Sequence, residues 1–126
     1  MGFIMENSFF SWKRFKNSFF YAWSGIWSLF KKEQNLWIML ILAFAILLLA
    51  WLFGLTVLEK AILILTIAVV ISAEILNTAV EFIFDKFHMA SEENAKIATN
   101  IMAGFVLILS IASLVIGLLI FWPYIS

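Results

Sequence analysis

Three apolar runs, each close to the thickness of a bilayer, decide what this chain can fold into. Residues 36–55 read LWIMLILAFAILLLAWLFGL, and comparable runs cover residues 61–84 and 101–122. About 20 apolar residues in a helix cross the ~30 Å of hydrocarbon in a membrane. Over such lengths only helices satisfy their own backbone in lipid without closing a barrel. Composition agrees: of 126 residues 65% are hydrophobic and 13% charged, with a mean hydropathy of +1.09. Soluble domains are roughly half apolar. The chain is therefore read as an all-α integral membrane protein, one domain over residues 1–126. Gly54 and the lone Pro123 punctuate the ends of the first and third spans.

The absence of cysteine excludes disulfides, thiolate metal sites and cysteine nucleophiles. Residues 1–30 are aromatic and basic, without a short apolar core and a small-residue cleavage site, so the spans are expected to be permanent anchors. Lys13, Arg14, Lys16, Lys31 and Lys32 precede the first span, and Lys86 and Lys96 separate the second from the third. Only Lys60 falls on the opposite side. The positive-inside rule predicts a cytoplasmic N-terminus and an outer C-terminus.

The segment before the first span has its own pattern. Trp12, Phe15, Phe19, Trp23, Ile26, Trp27 and Phe30 recur every three or four positions, and the lysines fall largely off that stripe. This spacing predicts an amphipathic helix over residues 8–32, lying in the interface. Its aromatics, Trp23 and Trp27 among them, would face lipid while its cations meet anionic headgroups. Such a helix can be a plain anchor or a surface that admits a lipid from the side.

The second span carries an oddity: AEILNTAVEFIFD, residues 73–85, holds three acids and an amide. An ionised carboxylate at the bilayer centre costs at least ~3 kcal/mol. On a helix advancing 100° per residue, Glu74, Asn77, Glu81 and Asp85 stand at about 0, −60, −20 and +20°, one narrow face. Glu74 lies about 16 Å deeper than Asp85 at 1.5 Å per residue. Acids so placed face a bundle interior or a wet cavity. They could bind helices into an oligomer, or relay protons or cations. They also suit phosphoryl transfer at the membrane surface. Two carboxylates can hold Mg²⁺ against phosphates, and a third, desolvated, can take a proton from an alcohol. No G-x-x-x-x-G-K-[ST] or kinase-type glycine loop is present, so a nucleotide site would have to be assembled from helices.

The pattern E-x-L-N-T-A-V-E-x-x-x-D, spelled by Glu74, Leu76, Asn77, Thr78, Ala79, Val80, Glu81 and Asp85, closely resembles the signature of the small bacterial membrane lipid kinases. That family comprises the prokaryotic diacylglycerol kinases and undecaprenol kinases. The resemblance extends over nearly the whole chain. It includes SGIW (residues 24–27), KEQN (32–35), Ala95 and Lys96 followed by AGFVL (103–107), and the ending IGLLIFWP (116–123), which looks more like the undecaprenol kinases.

The resemblance implies a homotrimer of three-span subunits in the bacterial inner membrane, with active sites shared at the cytoplasmic face. Glu74 would match the catalytic base, Glu33 and Glu81 the metal-binding glutamates, and Asn77 the polar residue beside the base. Mg²⁺ and ATP would be the cofactor and phosphate donor, and a membrane alcohol the acceptor, undecaprenol before diacylglycerol. Asp85, Lys96 and Asn100 are expected on the nucleotide and phosphate side; no nucleic-acid partner is expected.

The chain also departs from the family pattern. An adjacent Lys-Asp is replaced by Thr99 and Asn100, an arginine before GIW by Ser24, the arginine of ERN by Gln34, and a following histidine by Met39. Lys96 lies one turn before Asn100 and would share its face. Two further readings therefore stand beside the kinase: a catalytically impaired homologue with a structural or regulatory role, and a small ion-conducting oligomer. Of the remaining polar residues, His88 reads as a solvated loop histidine, Ser91 as a helix N-cap with acids behind it, and Trp122 and Tyr124 as an aromatic belt.

Overall fold

The computed structural model describes residues 11–87 and 91–126, and its elements there are four α-helices: α1 (Trp12–Lys32), α2 (Gln34–Leu52), α3 (Val57–Phe87) and α4 (Glu92–Ile125). No strand occurs among the described residues. The last three helices are long and apolar enough to cross a membrane. Residues 8–10 of the expected surface helix, and His88, lie outside the described residues.

The described residues form two separate compact units, 11–34 in one and 35–87 with 91–126 in the other. In the first, Ser11 caps α1 by accepting a hydrogen bond from the Arg14 amide at 3.4 Å. Trp12 stacks on Phe15, and Phe15 meets Phe19 edge-on, centroids 5.7 and 5.0 Å apart. These are neighbours one turn apart on the aromatic stripe. No residue of α1 is buried, and Lys31 and Lys32 close its last turn, where cations complement the helix dipole. Glu33 ends the helix in extended conformation, its N–H bonded to the Leu29 carbonyl at 2.8 Å.

In the second unit α3 packs antiparallel on α4, and the turn from α2 to α3 has its amides from Phe53 to Thr56 bonded internally. The Leu55 amide reaches back to the Ala50 carbonyl and the Gly54 amide to that of Trp51, at 3.1 and 3.2 Å. Gly54 has φ +71°, the left-handed value that such a helix end requires. Thr56 and Glu59 then form a reciprocal capping box at the start of α3: each amide bonds the other's side chain, at 2.9 and 3.1 Å. Tyr124 O–H donates to Glu59 Oε1 at 2.6 Å, and the Lys60 ammonium sits 4.4 Å from the centre of the Trp51 ring. A Cβ on Gly54 would touch nothing within 4 Å, so replacement there acts through backbone strain alone. Gly54→Val is expected to cost about 1–2 kcal/mol, read as a lower thermal unfolding midpoint in detergent.

The core of this unit is small. Ala50, Leu55 and Leu63 are buried, with Ile46, Leu47, Ile120 and Phe121 packed around them. Complete burial of a leucine such as Leu63, 3% exposed, contributes about 1.5–3 kcal/mol. The helices otherwise leave long apolar faces outward, as lipid-facing helices do. Ser91 caps α4 as expected, accepting from the Asn94 amide at 3.2 Å. At the other end the reading of Pro123 needs correction: α4 runs through it to Ile125. A proline forfeits its own backbone bond and crowds the carbonyl one turn before it, yet the turn that follows still closes, the Ser126 amide bonding the Trp122 carbonyl at 3.1 Å.

Candidate functional site

The polar face of α3 meets the start of α2. Asn35, at the beginning of α2, donates from Nδ2 to Glu74 Oε1 at 3.2 Å, and the same amide nitrogen lies 3.9 Å from Met39 Sδ. Glu74 is half-buried, and its Oε1 is held by a neutral donor. One turn further along α3, Asn77 Nδ2 donates to Glu81 Oε1 at 3.4 Å. Asn77 Oδ1 is buried and has no hydrogen-bond partner. A buried oxygen left unpaired costs about 1–3 kcal/mol, and an orphan of this kind calls for a partner such as a water or an ion. Thr78 sends its hydroxyl to the Glu74 carbonyl at 3.0 Å.

The expected site residues thus fall into two sets. Glu74 is joined by Asn35, and Asn77 by Glu81. Asp85, Lys96 and Asn100 are exposed, while Glu33 stands half-buried at the end of α1 in the other unit. Thr99 turns its hydroxyl onto its own helix, 2.9 Å from the Ala95 carbonyl. Trp23 and Trp27 are exposed on α1. The role of Asn35 was not assigned from sequence. Its signal was there in the KEQN segment, but only the tertiary contact shows which acid it serves.

The family profile described as prokaryotic diacylglycerol kinase matches residues 20–121. The chain belongs to that family. Its three apolar helices and this membership make it a membrane protein of the prokaryotic diacylglycerol kinase family. It is 37% identical over 110 residues to an undecaprenol kinase of Bacillus subtilis, covering 87% of this chain and 89% of that one. It is also 37% identical over 101 residues to a diacylglycerol kinase of Synechocystis sp., covering 79% of this chain and 58% of the cyanobacterial one. No solved structure matches the chain significantly.

For a member of this family, the donor set of α3 can be tested against a divalent cation. Asn77 Oδ1 and Glu81 offer oxygen only, one neutral and one anionic, the donor type Mg²⁺ takes. Among the described residues no three acidic or histidine side chains form a cluster. Mg²⁺ commonly uses one or two carboxylates and completes its shell with water and substrate phosphates, so the residues present fit it as partial ligands.

Proposed function

We propose that this lipid kinase transfers the terminal phosphoryl group of ATP to the hydroxyl of a membrane alcohol, undecaprenol before diacylglycerol, as a homotrimer with its N-terminus in the cytoplasm. The observation that carries the reading is the Asn35–Glu74 pair, a carboxylate oriented on the polar face of a membrane helix. Family membership supports the reaction class. The greater coverage of the undecaprenol kinase among the two relatives supports the order of acceptors.

In this reading Glu74 accepts the hydroxyl proton of the acceptor as its oxygen attacks the terminal phosphorus. The bond from that phosphorus to the bridging oxygen breaks, and ADP leaves. Asn35 keeps the carboxylate aimed. Glu81, beside Asn77, would hold Mg²⁺, which would supply charge neutralisation for the transferring phosphoryl group, and Glu33 is proposed separately as a metal-binding glutamate. Asp85, Lys96 and Asn100 would meet the nucleotide, Lys96 supplying the cation, and Trp23 and Trp27 would line the lipid approach.

A second reading, a catalytically impaired homologue with an assembly role, is favoured by one observation. The Thr99 hydroxyl bonds its own helix, and Asn100 carries no charge where the family places Lys-Asp. Phosphate transfer in mixed micelles separates the two, with labelled ATP, Mg²⁺, and undecaprenol or diacylglycerol offered separately. Transfer that disappears in Glu74→Gln supports the kinase; its absence from a folded oligomer supports the impaired homologue. Asn35→Leu is expected to lower kcat about tenfold, the scale of one lost charge-assisted hydrogen bond, with KM for the acceptor little changed in the same assay.

A further inference from the structure

Asn35 meets more than Glu74. Its Nδ2 carries two N–H bonds, and two acceptors stand around it: Glu74 Oε1 on α3 at 3.2 Å and Met39 Sδ on α2 at 3.9 Å. An ionised carboxylate and a thioether have no proton to give. The nitrogen end of the amide is therefore the end that faces both. Turned over, the amide would set its own oxygen against a carboxylate oxygen and a sulfur lone pair.

One hydrogen bond does not fix an amide. The last torsion of asparagine is soft, and Asn35 is exposed, so its head can swing about a single bond to Glu74. The second contact removes that freedom by tying the head to its own helix. Residues 35 and 39 are one turn apart and share a face of α2. Met39 is half-buried and lines an apolar cavity of about 430 Å³ between the membrane helices, which confines its side chain. A sulfur acceptor is weak, but it suits this place. The thioether is apolar enough to sit among aliphatic neighbours and polarizable enough to accept from an N–H. It binds no proton near neutral pH, so it does not compete with Glu74 for the hydroxyl proton of the acceptor. A carboxylate or an imidazole at residue 39 would be a second base beside the first.

We propose that Met39 is a positioning residue for the base: its sulfur takes the second N–H of Asn35, fixes the plane of that amide and, through it, the direction of the Glu74 carboxylate. The inference rests on Glu74 as the base and deepens the proposed function by naming what holds Asn35.

Two replacements of Met39 separate this role from plain packing. Met39→Leu conserves volume and apolarity and deletes the acceptor. Met39→Gln keeps the length and supplies a carbonyl oxygen that can accept from Asn35 at this helical spacing, while giving up apolar packing. In the mixed-micelle transfer assay, Met39→Leu is expected to lower kcat about two- to threefold, the scale of a weak hydrogen bond, with KM for the acceptor unchanged. Met39→Gln should restore kcat. Met102→Leu, the same exchange at a half-buried methionine of α4, should leave it unchanged. In an Asn35→Leu background, Met39→Leu should cost nothing further. Leucine as good as methionine with glutamine impaired, or the same loss with and without Asn35, overturns the proposal. The second readout needs no turnover. In nanodiscs with isotope-labelled asparagine, the Asn35 side-chain amide is assigned by its disappearance in Asn35→Leu. Its exchange with water should quicken about two- to threefold in Met39→Leu and slow again in Met39→Gln. Exchange indifferent to Met39→Leu overturns the proposal. Absence of transfer from the unmodified protein would refute the kinase reading, while the amide exchange still decides whether Met39 holds Asn35.

Discussion

Lipid phosphorylation by Glu74→Gln is expected to fall about 10²- to 10⁴-fold, the usual contribution of a positioned general base. The substitution is nearly isosteric. The amide carbonyl that replaces the carboxylate oxygen still accepts the Asn35 hydrogen bond, now 3.2 Å long, so orientation survives and only basicity is removed. The loss should therefore sit in kcat and spare KM for the lipid, measured as initial rates of labelled phosphate transfer over a range of acceptor concentrations. Thermal unfolding and oligomer size should match the unmodified protein. A variant that retains full kcat would remove Glu74 from the role of base.

The second large effect is expected at Glu81. Its Oε1 accepts from Asn77 Nδ2, while Asn77 Oδ1 is buried with nothing to bond. A divalent cation at this pair would answer the orphaned oxygen and be anchored by the adjacent charge. Glu81→Gln keeps an acceptor for Asn77 and deletes that charge. Metal assistance is worth several kcal/mol, so transfer at a fixed Mg²⁺ concentration should drop by about a hundredfold or more. Raising Mg²⁺ should recover part of it, which a purely structural defect would not show. Size-exclusion and cross-linking report the alternative. If the assembly falls apart and activity merely follows it, these acids serve packing between helices.

Much of this was legible before any coordinates. The apolar runs of residues 36–55, 61–84 and 101–122 announced three membrane helices because lipid admits no other open backbone. Aromatic spacing announced α1, and 100° steps gathered Glu74, Asn77, Glu81 and Asp85 on one face. Helix-end chemistry was legible at Ser91 and was overlooked at Thr56 and Glu59, where T-x-x-E is as local a signal. Asn35 and the cavity were of a different kind. Their meaning depends on which faces of α2, α3 and α4 come together, and one-dimensional spacing carries no such pairing. Pro123 misled because a proline's lost bond and ring clash fall on the turn before it, so the residues after it can continue the helix.

The turn between α2 and α3 also bears on how the protein reaches its place. With the N-terminus cytoplasmic, as proposed, this turn must be carried through the hydrocarbon during biogenesis. Each backbone polar group left bare there would cost several kcal/mol. Leu49, Ala50, Trp51 and Glu59 already accept from the turn's amides, Phe53 to Thr56, and Glu59 and Lys60 cancel in charge. The tip therefore presents fewer bare backbone donors to the hydrocarbon than its sequence suggests.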